Sequence, residues 1–284
     1  MQIVFERVDF AYESFGRGKN NTPSKKAAVV QSEDAFALNE ISFSLTSDEG
    51  VSILGRSGSG KSTLMNLFTG LSRPSRGRIL IDGKDLFSDA TQLTNIRRRI
   101  GLVFQFPESQ LFETTVYDDV AYGPRNLGLP EEMVRKRVET SLASVGLSMS
   151  EFGAVDPLRL SQGEKRRAAI AGILAMKPEM LIMDEPTSGL DASGRELLTR
   201  MIEDLTGQNI GIVLISHDTS LAVSLTQRAL VLDHGKLCYD GSLTKLLDDS
   251  SQTFRLGLEV PRSFRLSEKL ERHGIVGIRD LNPV

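Results

Sequence analysis

Short apolar segments alternate along this chain with segments in which apolar residues recur at helical spacing. Runs rich in Ile, Val, Leu and Phe that end at polar or glycine-containing turns predict β-strands. We predict strands at 3–12, 41–45, 51–54, 180–184 and 210–215, and a hairpin at 229–240. The strands at 180–184 and 210–215 are almost entirely apolar, which is typical of a sheet covered on both faces.

Helix signals separate several of these strands. The clearest helix is predicted at 131–145, because Pro130 and the two glutamates after it favour a helix start and Gly146 favours its end. An apolar stripe runs along this helix through Val134, Val138, Leu142 and Val145. Further helices are predicted from Lys61 onward, at 162–176 and at 193–206. Alternating strands and helices predict an α/β fold with a mainly parallel sheet.

Two segments lie outside this regular pattern. Residues 16–34 are rich in Gly, Asn, Ser and Lys without a period, and we predict a flexible loop there, either a tolerated insertion or a docking segment. We predict a main domain at 1–248 and a C-terminal extension at 249–284. A helix predicted within this extension, at 263–273, has leucines on one side, for packing on its own domain or for a dimer contact.

Composition and charge exclude several classes of protein. Of the 284 residues, 40% are hydrophobic and 25% are charged, so the chain is neither wholly disordered nor collagen-like. The formal net charge of −3 gives no support for nucleic-acid binding. The single cysteine, Cys238, excludes an internal disulfide and a cysteine-based zinc site, and it favours a reducing compartment.

The sequence predicts neither a membrane span nor a secretory signal. The longest apolar stretch, AAIAGILAM at 168–176, is much shorter than the ~20 residues that a spanning helix needs. The N-terminus MQIVFERVDF has no basic segment followed by an apolar core. We therefore expect a cytosolic protein, and this expectation is compatible with docking onto a membrane partner.

A phosphate-binding loop is the strongest chemical signal in the sequence. GRSGSGKS at 55–62 fits G-x-x-x-x-G-K-[ST], follows an apolar strand and opens a helix. In this motif the backbone N–H groups point at an anion beside the positive end of a helix. Lys61 supplies a charge for the β- and γ-phosphates, and the Ser62 hydroxyl is a ligand for Mg²⁺. The candidate ATP contacts in the loop are Gly55, Arg56, Ser57, Gly58, Ser59, Gly60, Lys61 and Ser62.

Two carboxylates stand at the end of the apolar strand at 180–184. A P-loop ATPase needs an acidic residue on a neighbouring strand to hold Mg²⁺, and a group that deprotonates or orients the attacking water. Asp184 fits the first role, and Glu185 fits the second. His217 follows the strand at 210–215 and is a candidate sensor of the γ-phosphate, although such a histidine alone is more often a solvated loop residue.

The segment LSQGE at 160–164 precedes a helix with Ser161 at its N-cap, and a capped helix start can bind an anion. LSQGE resembles the LSGGQ signature of ABC (ATP-binding cassette) transporters. The chain resembles their ATP-binding subunits from residue 1 to about 248. This resemblance implies the P-loop NTPase fold of ABC ATPases, with a RecA-like core, an antiparallel β subdomain, a helical subdomain at about 91–176 and a short C-terminal helical extension. The implied cofactors are ATP and Mg²⁺.

The same resemblance implies roles for residues outside the phosphate-binding loop. Tyr12 corresponds to the aromatic residue that stacks on adenine, and Thr63 adds to the ATP contacts of the loop. Gln105 corresponds to the glutamine that touches Mg²⁺ and relays to the membrane partner. His217 corresponds to the switch histidine, and SGLD at 188–191 corresponds to the D-loop.

In the ABC family two subunits sandwich two ATP molecules, each held by the phosphate-binding loop of one subunit and the signature of the other. Ser161 and Gly163 of this chain are therefore expected to contact the partner subunit's ATP. Gln162 and Glu164 depart from the signature, which usually has Gly and Gln at these positions. The charge of Glu164 beside a polyphosphate is expected to weaken that site. Unequal sites favour a heterodimer over a homodimer.

Several segments resemble the ATPases of energy-coupling factor (ECF) transporters in particular. These are 106–130 and 257–275, together with 170–191, which resembles the second ATPase type of the pair. ECF transporters import vitamins and transition-metal ions, and their two ATPases bind a transmembrane coupling protein that holds a substrate-binding membrane subunit. The resemblance implies a translocase ATPase that is peripheral at the cytoplasmic face of the cell membrane. It places the contact with the coupling protein at 106–125.

Three alternatives remain open. The first is an ATPase of another ABC transporter class, which the ECF-like segments disfavour. The second is a soluble ABC ATPase that acts on ribosomes or DNA, but such proteins usually carry two cassettes or a long coiled-coil insertion, and this sequence has neither. The third is a non-catalytic regulatory cassette, which the presence of Lys61, Asp184, Glu185 and His217 disfavours.

Overall fold

Two β-sheets organise the part of the chain that the structure describes. The structure is a computed structural model, and it describes residues 1–12, 36–208, 210–262 and 264–266. The predicted loop at 16–34 and most of the helix predicted at 263–273 lie outside these residues. The strands are β1 (Gln2–Phe10), β2 (Leu38–Thr46), β3 (Gly50–Leu54), β4 (Arg76–Ile81), β5 (Lys84–Asp85), β6 (Ile100–Val103), β7 (Met180–Asp184), β8 (Gly211–Ile215), β9 (Arg228–Asp233) and β10 (Lys236–Ser242).

The α-helices of the described residues cover the sheets and connect their strands. They are α1 (Lys61–Phe68), α2 (Ala90–Arg99), α3 (Val116–Asn126), α4 (Glu131–Ser144), α5 (Met149–Phe152), α6 (Gln162–Leu174), α7 (Ala192–Thr206), α8 (Thr219–Leu225), α9 (Leu243–Asp248) and α10 (Ser250–Arg255). None of them combines the length and the apolarity that crossing a bilayer would require.

The larger sheet has six strands in the order β10-β9-β3-β8-β7-β6. All neighbours from β9 to β6 are parallel, and β10 joins β9 as the predicted antiparallel hairpin. The predicted α/β fold with a mainly parallel sheet is therefore confirmed. Because β3, β8 and β7 are adjacent, their carboxyl ends lie side by side, at the edge where open α/β sheets bind ligands.

The smaller sheet is antiparallel and has the order β2-β1-β4-β5. Its buried side chains pack with α1 and with one face of the larger sheet in a single apolar core. Three rings lie at the centre of this core. Phe5 stacks on Phe43 at a centroid distance of 4.6 Å and meets Phe68 edge-on at 4.9 Å.

A second apolar core lies on the other side of the large sheet. Side chains of α3, α4, α6 and α7 contribute to it, and Leu256 and Leu258 of the C-terminal extension pack against it. The four predicted stripe residues of α4 are all buried there, which confirms that the stripe faces the core. Thr253 of α10 is also buried, and its hydroxyl donates to the carbonyl oxygen of Leu246 at 2.6 Å. The domain boundary at residue 248 stays a prediction.

Several element boundaries differ from the sequence pattern. The helix predicted at 131–145 ends at Ser144 and has Pro130 as its N-cap, and Gly146 follows the helix with a φ of 70°. The helix predicted at 162–176 ends at Leu174. The pattern does not predict β4, β5, β6, α2 or α3. In β6, only four residues follow the arginines at the end of α2, which is too short a run for a periodicity to emerge.

Candidate nucleotide-binding site

The phosphate-binding loop joins β3 to α1, and its backbone geometry requires two of its glycines. Gly55 has a φ of 146°, and a Cβ there would lie 2.3 Å from the carbonyl oxygen of Leu232. Gly60 has a φ of 105°, and a Cβ there would lie 2.6 Å from Cδ2 of Leu38. Residues with a side chain rarely adopt such φ values. The loop therefore keeps this shape only with glycine at both positions.

The ammonium group of Lys61 lies inside the phosphate-binding loop. Its Nζ donates hydrogen bonds to the carbonyl oxygens of Gly55 at 2.7 Å and Arg56 at 2.9 Å. Burial lowers the pKa of Lys61, whereas the carboxylates of Glu185 and Asp184 raise it. The side chain therefore presents a positive charge in a partly dehydrated site, which is suited to a polyphosphate.

Asp184 ends β7 and faces the same site. Burial raises its pKa, the charge of Glu185 raises it further, and Lys61 lowers it. Three oxygen-bearing groups line a common cavity: the carboxylate of Asp184, the hydroxyl of Ser62 and the side-chain amide of Gln105. Such oxygen donors fit Mg²⁺, which proteins usually hold with one or two carboxylates together with substrate phosphates. Among the described residues, no three or more His, Cys, Asp or Glu side chains cluster into a metal site of their own.

Glu185 is held by the residues that follow β8. Its Oε1 accepts a hydrogen bond from the backbone N–H of His217 at 2.9 Å and lies 2.6 Å from Nδ1 of the same residue. Its Oε2 accepts a hydrogen bond from the hydroxyl of Ser216 at 3.0 Å. The backbone of Glu185 has a positive φ of 45°, which is uncommon for a residue with a side chain and is frequent at functional sites.

Gln105 follows β6 and contacts the D-loop segment, since its Nε2 donates to the hydroxyl of Ser188 at 3.3 Å. The sequence analysis missed Arg166 of α6, which fastens these two segments together. Its buried guanidinium donates to the carbonyl oxygens of Pro186 at 2.8 Å and Ser188 at 2.9 Å. It also forms an ion pair with Glu108 at 3.3 Å. A signal for it exists in the sequence, because Arg166 stands four residues before an isoleucine of the apolar stretch of α6.

Tyr12 lies beside the phosphate-binding loop at the end of the first described segment. A hydrogen bond of 2.8 Å joins its hydroxyl to the hydroxyl of Thr63 in α1. The ring packs edge-on against Phe10 at a centroid distance of 5.0 Å, and 62% of the residue is exposed. An exposed aromatic ring in this position is available for stacking on a nucleobase.

Most of the predicted ATP contacts line one cavity of about 720 Å³, a volume within the usual range of ligand sites. The predicted residues in its lining are Tyr12, Ser57, Gly58, Gly60, Lys61, Ser62, Thr63, Gln105, Asp184, Glu185 and His217. Gly55, Arg56 and Ser59 belong to the loop but not to this lining. The carboxyl edge of the large sheet thus brings together residues from both ends of the domain.

The signature segment forms the N-terminus of α6 and does not line this cavity. Ser161 is the predicted N-cap, and it forms a capping box with Glu164: the Ser161 hydroxyl accepts from the backbone N–H of Glu164 at 3.3 Å. The Glu164 carboxylate accepts in return from the backbone N–H of Ser161 at 2.8 Å and from its hydroxyl at 2.7 Å. These hydrogen bonds lower the pKa of Glu164. The residue that departs from the family signature therefore has a local structural role that the sequence analysis missed.

An apolar groove of about 530 Å³ runs between the large sheet and the helical part of the chain. Phe112 and Tyr122 line it, with their rings edge-to-face at a centroid distance of 4.9 Å, and Leu71 and Leu111 extend it. Phe112 is 64% exposed, and Phe106, just outside the groove lining, is half exposed. An exposed apolar patch of this kind is a candidate interaction site.

Comparisons with known proteins agree with this geometry. A family model described as ABC transporter matches residues 38–188. The energy-coupling factor transporter ATP-binding protein EcfA2 of Caldanaerobacter subterraneus subsp. tengcongensis is 42% identical over 276 residues, which are 97% of this chain and 91% of that protein. The corresponding protein EcfA of Methanococcus maripaludis is 41% identical over 247 residues, covering 87% of this chain and 88% of its own.

Two solved structures have a fold similar to that of this chain. CbiO1 of Clostridium perfringens, described as part of the ABC transporter complex CbiONQ, has a TM-score of 0.75 and 32% identity, covering 94% of this chain and 98% of its own. A dimeric ATP-binding cassette in a post-hydrolysis state, bound to ADP and Pi, has a TM-score of 0.68 and 28% identity, covering 85% and 98%. The predicted P-loop ABC ATPase fold is confirmed. The chain belongs to the ABC transporter family, and within it to the ATP-binding proteins of energy-coupling factor transporters, as an ATPase of that group.

Proposed function

We propose that this chain hydrolyses Mg²⁺-bound ATP in the cavity at the carboxyl edge of the large sheet and couples hydrolysis to import through a membrane complex. The observation that carries this proposal is the convergence of the phosphate-binding loop, Asp184, Glu185, Gln105 and His217 on one cavity. Each residue type in this set matches one requirement of phosphoryl transfer to water.

The cavity supports a division of roles among its residues. The loop N–H groups and Lys61 hold the phosphates, and the exposed ring of Tyr12 stacks on adenine. Ser62, Asp184 and Gln105 hold Mg²⁺, which neutralises phosphate charge when it is bound. Glu185 takes a proton from the attacking water.

His217 lies within 2.6 Å of Glu185 and is largely exposed at the cavity, so its ring can contact the γ-phosphate and the base together. An ionised carboxylate oxygen and a phosphate oxygen both accept hydrogen bonds, so a ring that contacts both must donate through Nδ1 to Glu185 and through a hydrogen on Nε2 to the phosphate.

Ser161 and Gly163 complete a second ATP site in a partner subunit. Their position at the N-terminus of a 13-residue helix, outside the chain's own cavity, supports this assignment. We further propose that the partner is a second, different ATPase, because the signature of this chain departs from the family pattern at Gln162 and Glu164.

The apolar groove around Phe112 and Tyr122 is the surface that binds a transmembrane coupling protein. The rings of Phe112 and Tyr122 lie in the predicted contact segment 106–125, and Gln105, directly before this segment, lines the ATP cavity. The chain would then be a peripheral protein at the cytoplasmic face of the membrane. The imported substrate would be a vitamin or a transition-metal ion bound by a separate membrane subunit.

Purification of the tagged chain from detergent-solubilised native membranes tests this proposal. We expect a second ATPase and two integral membrane proteins to co-purify, with mass spectrometry identifying each. Phe112→Glu places a charge in the apolar groove and should remove the membrane proteins, because burying an unpaired charge is costly. Leu197→Glu is the matched control: Leu197 is 47% exposed on α7, outside the groove, and the complex should persist.

Recovery from the soluble fraction alone, or together with ribosomal or DNA-repair proteins, would exclude the transport role while leaving ATP hydrolysis. If Phe112→Glu and Leu197→Glu retained the membrane proteins equally, the groove would not be the docking surface.

A further inference from the structure

Ser216 occupies a position that the assigned roles leave unexplained. It is fully buried directly after β8 and directly before His217. Its hydroxyl accepts a hydrogen bond from the backbone N–H of Asp218 at 3.0 Å and contacts Oε2 of Glu185 at 3.0 Å. A serine hydroxyl has a single hydrogen to donate, and a carboxylate can only accept. The hydroxyl of Ser216 therefore donates its hydrogen to Oε2 of Glu185.

The environment of Ser216 keeps this hydroxyl in place. Its backbone N–H donates to the carbonyl oxygen of Ile53 at the end of β3, at 3.3 Å. The donor to its hydroxyl, Asp218, is the N-cap of α8 and accepts from two backbone N–H groups of that helix. His217 differs, because 79% of its side chain is exposed and its ring can turn towards a phosphate. Ser216 is thus the fixed side-chain contact of the Glu185 carboxylate.

The distribution of donors distinguishes the two oxygens of Glu185. Oε1 faces two donors, the backbone N–H and the Nδ1 of His217. Oε2 faces one donor, the hydroxyl of Ser216. A carboxylate oxygen accepts about two hydrogen bonds. Among the contacts of the described residues, only Oε2 retains a free acceptor site, and Oε2 is the oxygen that Ser216 holds.

We propose that Ser216 is a positioning residue for ATP hydrolysis, which holds the Glu185 carboxylate so that Oε2 takes the proton of the attacking water. This inference rests on the proposed role of Glu185. In the step, the water oxygen bonds to the γ-phosphorus as its proton moves to Oε2. The bond between the γ-phosphorus and the bridging oxygen breaks, and its electron pair stays on ADP. No other reactant is needed.

Ser216→Ala tests this proposal in the purified transporter complex. We expect kcat for ATP to fall about tenfold, a part of the factor of 10²–10⁴ that a positioned base contributes, while KM for ATP and the Kd of ATP stay unchanged. Ser216→Thr keeps the hydroxyl and should restore most of kcat. Ser52→Ala is the matched control, since Ser52 of β3 is also fully buried, and its hydroxyl forms a 2.5 Å hydrogen bond to Thr226 rather than to Glu185.

A double-mutant cycle separates positioning from a general structural effect. Adding Ser216→Ala to Glu185→Gln should not lower the residual rate further, because the hydroxyl acts through the carboxylate. The inference is overturned if Ser216→Ala leaves kcat unchanged, if Ser52→Ala lowers it equally, or if the effects of Ser216→Ala and Glu185→Gln multiply. Failure of the proposed function has a different signature: Glu185→Gln would itself turn over ATP at the normal rate.

Discussion

Single residues differ greatly in how far their role can be inferred from sequence, and the ATP cavity contains both extremes. The phosphate-binding loop is recognisable from its spacing alone, because consecutive residues build it. Ser216 carries no such signal, and the only signal for Arg166 is its helical spacing to an isoleucine of α6. Their contacts reach Glu185 and Pro186, which lie near them only because β7 and β8 are neighbours and α6 packs beside them. A single sequence does not reveal such tertiary contacts.

Glu185→Gln is the most direct test of the base. The amide keeps the shape of the side chain but cannot accept a proton at neutral pH, so we expect kcat to fall by at least about 100-fold. ATP binding should persist, because the phosphate contacts lie on the loop and Lys61. Steady-state ATP hydrolysis and equilibrium ATP binding are each measured for the native protein and for Glu185→Gln. Glu196→Gln, on the exposed face of α7, should change neither quantity. Normal hydrolysis by Glu185→Gln would assign the base to another group.

Elements are predicted well where periodicity is long and poorly where it is short. The sequence predicts helix α4 and strands β7 and β8 because their apolar positions repeat over the whole element. Strand β6 and helices α2 and α3 are not predicted, since α2 is largely polar, α3 contains a glycine and a proline, and β6 has four residues. The antiparallel sheet depends on pairing β1 with β4, strands far apart in the chain, which local patterns do not encode.

The N-terminus of α6 gives an element-scale prediction about Glu164. Glu164→Ala removes one side of the capping box and should lower the free energy of unfolding by roughly 0.5 kcal/mol, a small value because the site is exposed. Glu164→Gln should retain most of the capping, since glutamine can make the same contact. Denaturant unfolding of the three proteins measures the difference.

The pH dependence of this contribution has a defined sign. Hydrogen bonds from Ser161 lower the pKa of Glu164 in the folded state, so its charged form stabilises the fold above the ordinary glutamate pKa. The advantage of the native protein over Glu164→Gln should fade as pH falls through the lowered folded-state value. A constant difference across this acidic range would mean that the carboxylate charge contributes nothing. If Glu164 also weakens the composite ATP site, Glu164→Gln should hydrolyse ATP faster.

Over the whole molecule, the C-terminal extension returns to the phosphate-binding loop. The backbone of Gly257, which follows α10 with a φ of 67°, packs directly against the guanidinium of Arg56, and a Cβ there would lie 1.9 Å from Arg56 Nε. Two residues further on, the carbonyl oxygen of Glu259 accepts a hydrogen bond from the hydroxyl of Thr219 at 2.5 Å. The C-terminal extension therefore packs against the loop whose Arg56 carbonyl oxygen accepts a hydrogen bond from Lys61.

This contact predicts that Gly257→Ala weakens ATP binding. Gly128 is a matched control, because it follows α3 with a φ of 72° and has open space at its Cβ position. Alanine costs about 1–2 kcal/mol of left-handed strain at either site. Only Gly257→Ala also displaces the Arg56 side chain, so we expect its Kd for ATP to rise about fivefold relative to Gly128→Ala, or ~1 kcal/mol.

Combining Gly257→Ala with Arg56→Ala tests whether the Arg56 side chain transmits the effect of this contact. With the guanidinium removed, Gly257→Ala has nothing to displace, and the double variant should bind ATP as Arg56→Ala does. Equal Kd values for Gly257→Ala and Gly128→Ala would show that the extension packs on the loop without affecting it. If Gly257→Ala raises the Kd of ATP fivefold relative to Gly128→Ala, and this difference disappears in the Arg56→Ala background, then displacement of the C-terminal extension changes the affinity of the loop for ATP. By linkage, ATP binding would then bias the position of the extension to the same degree.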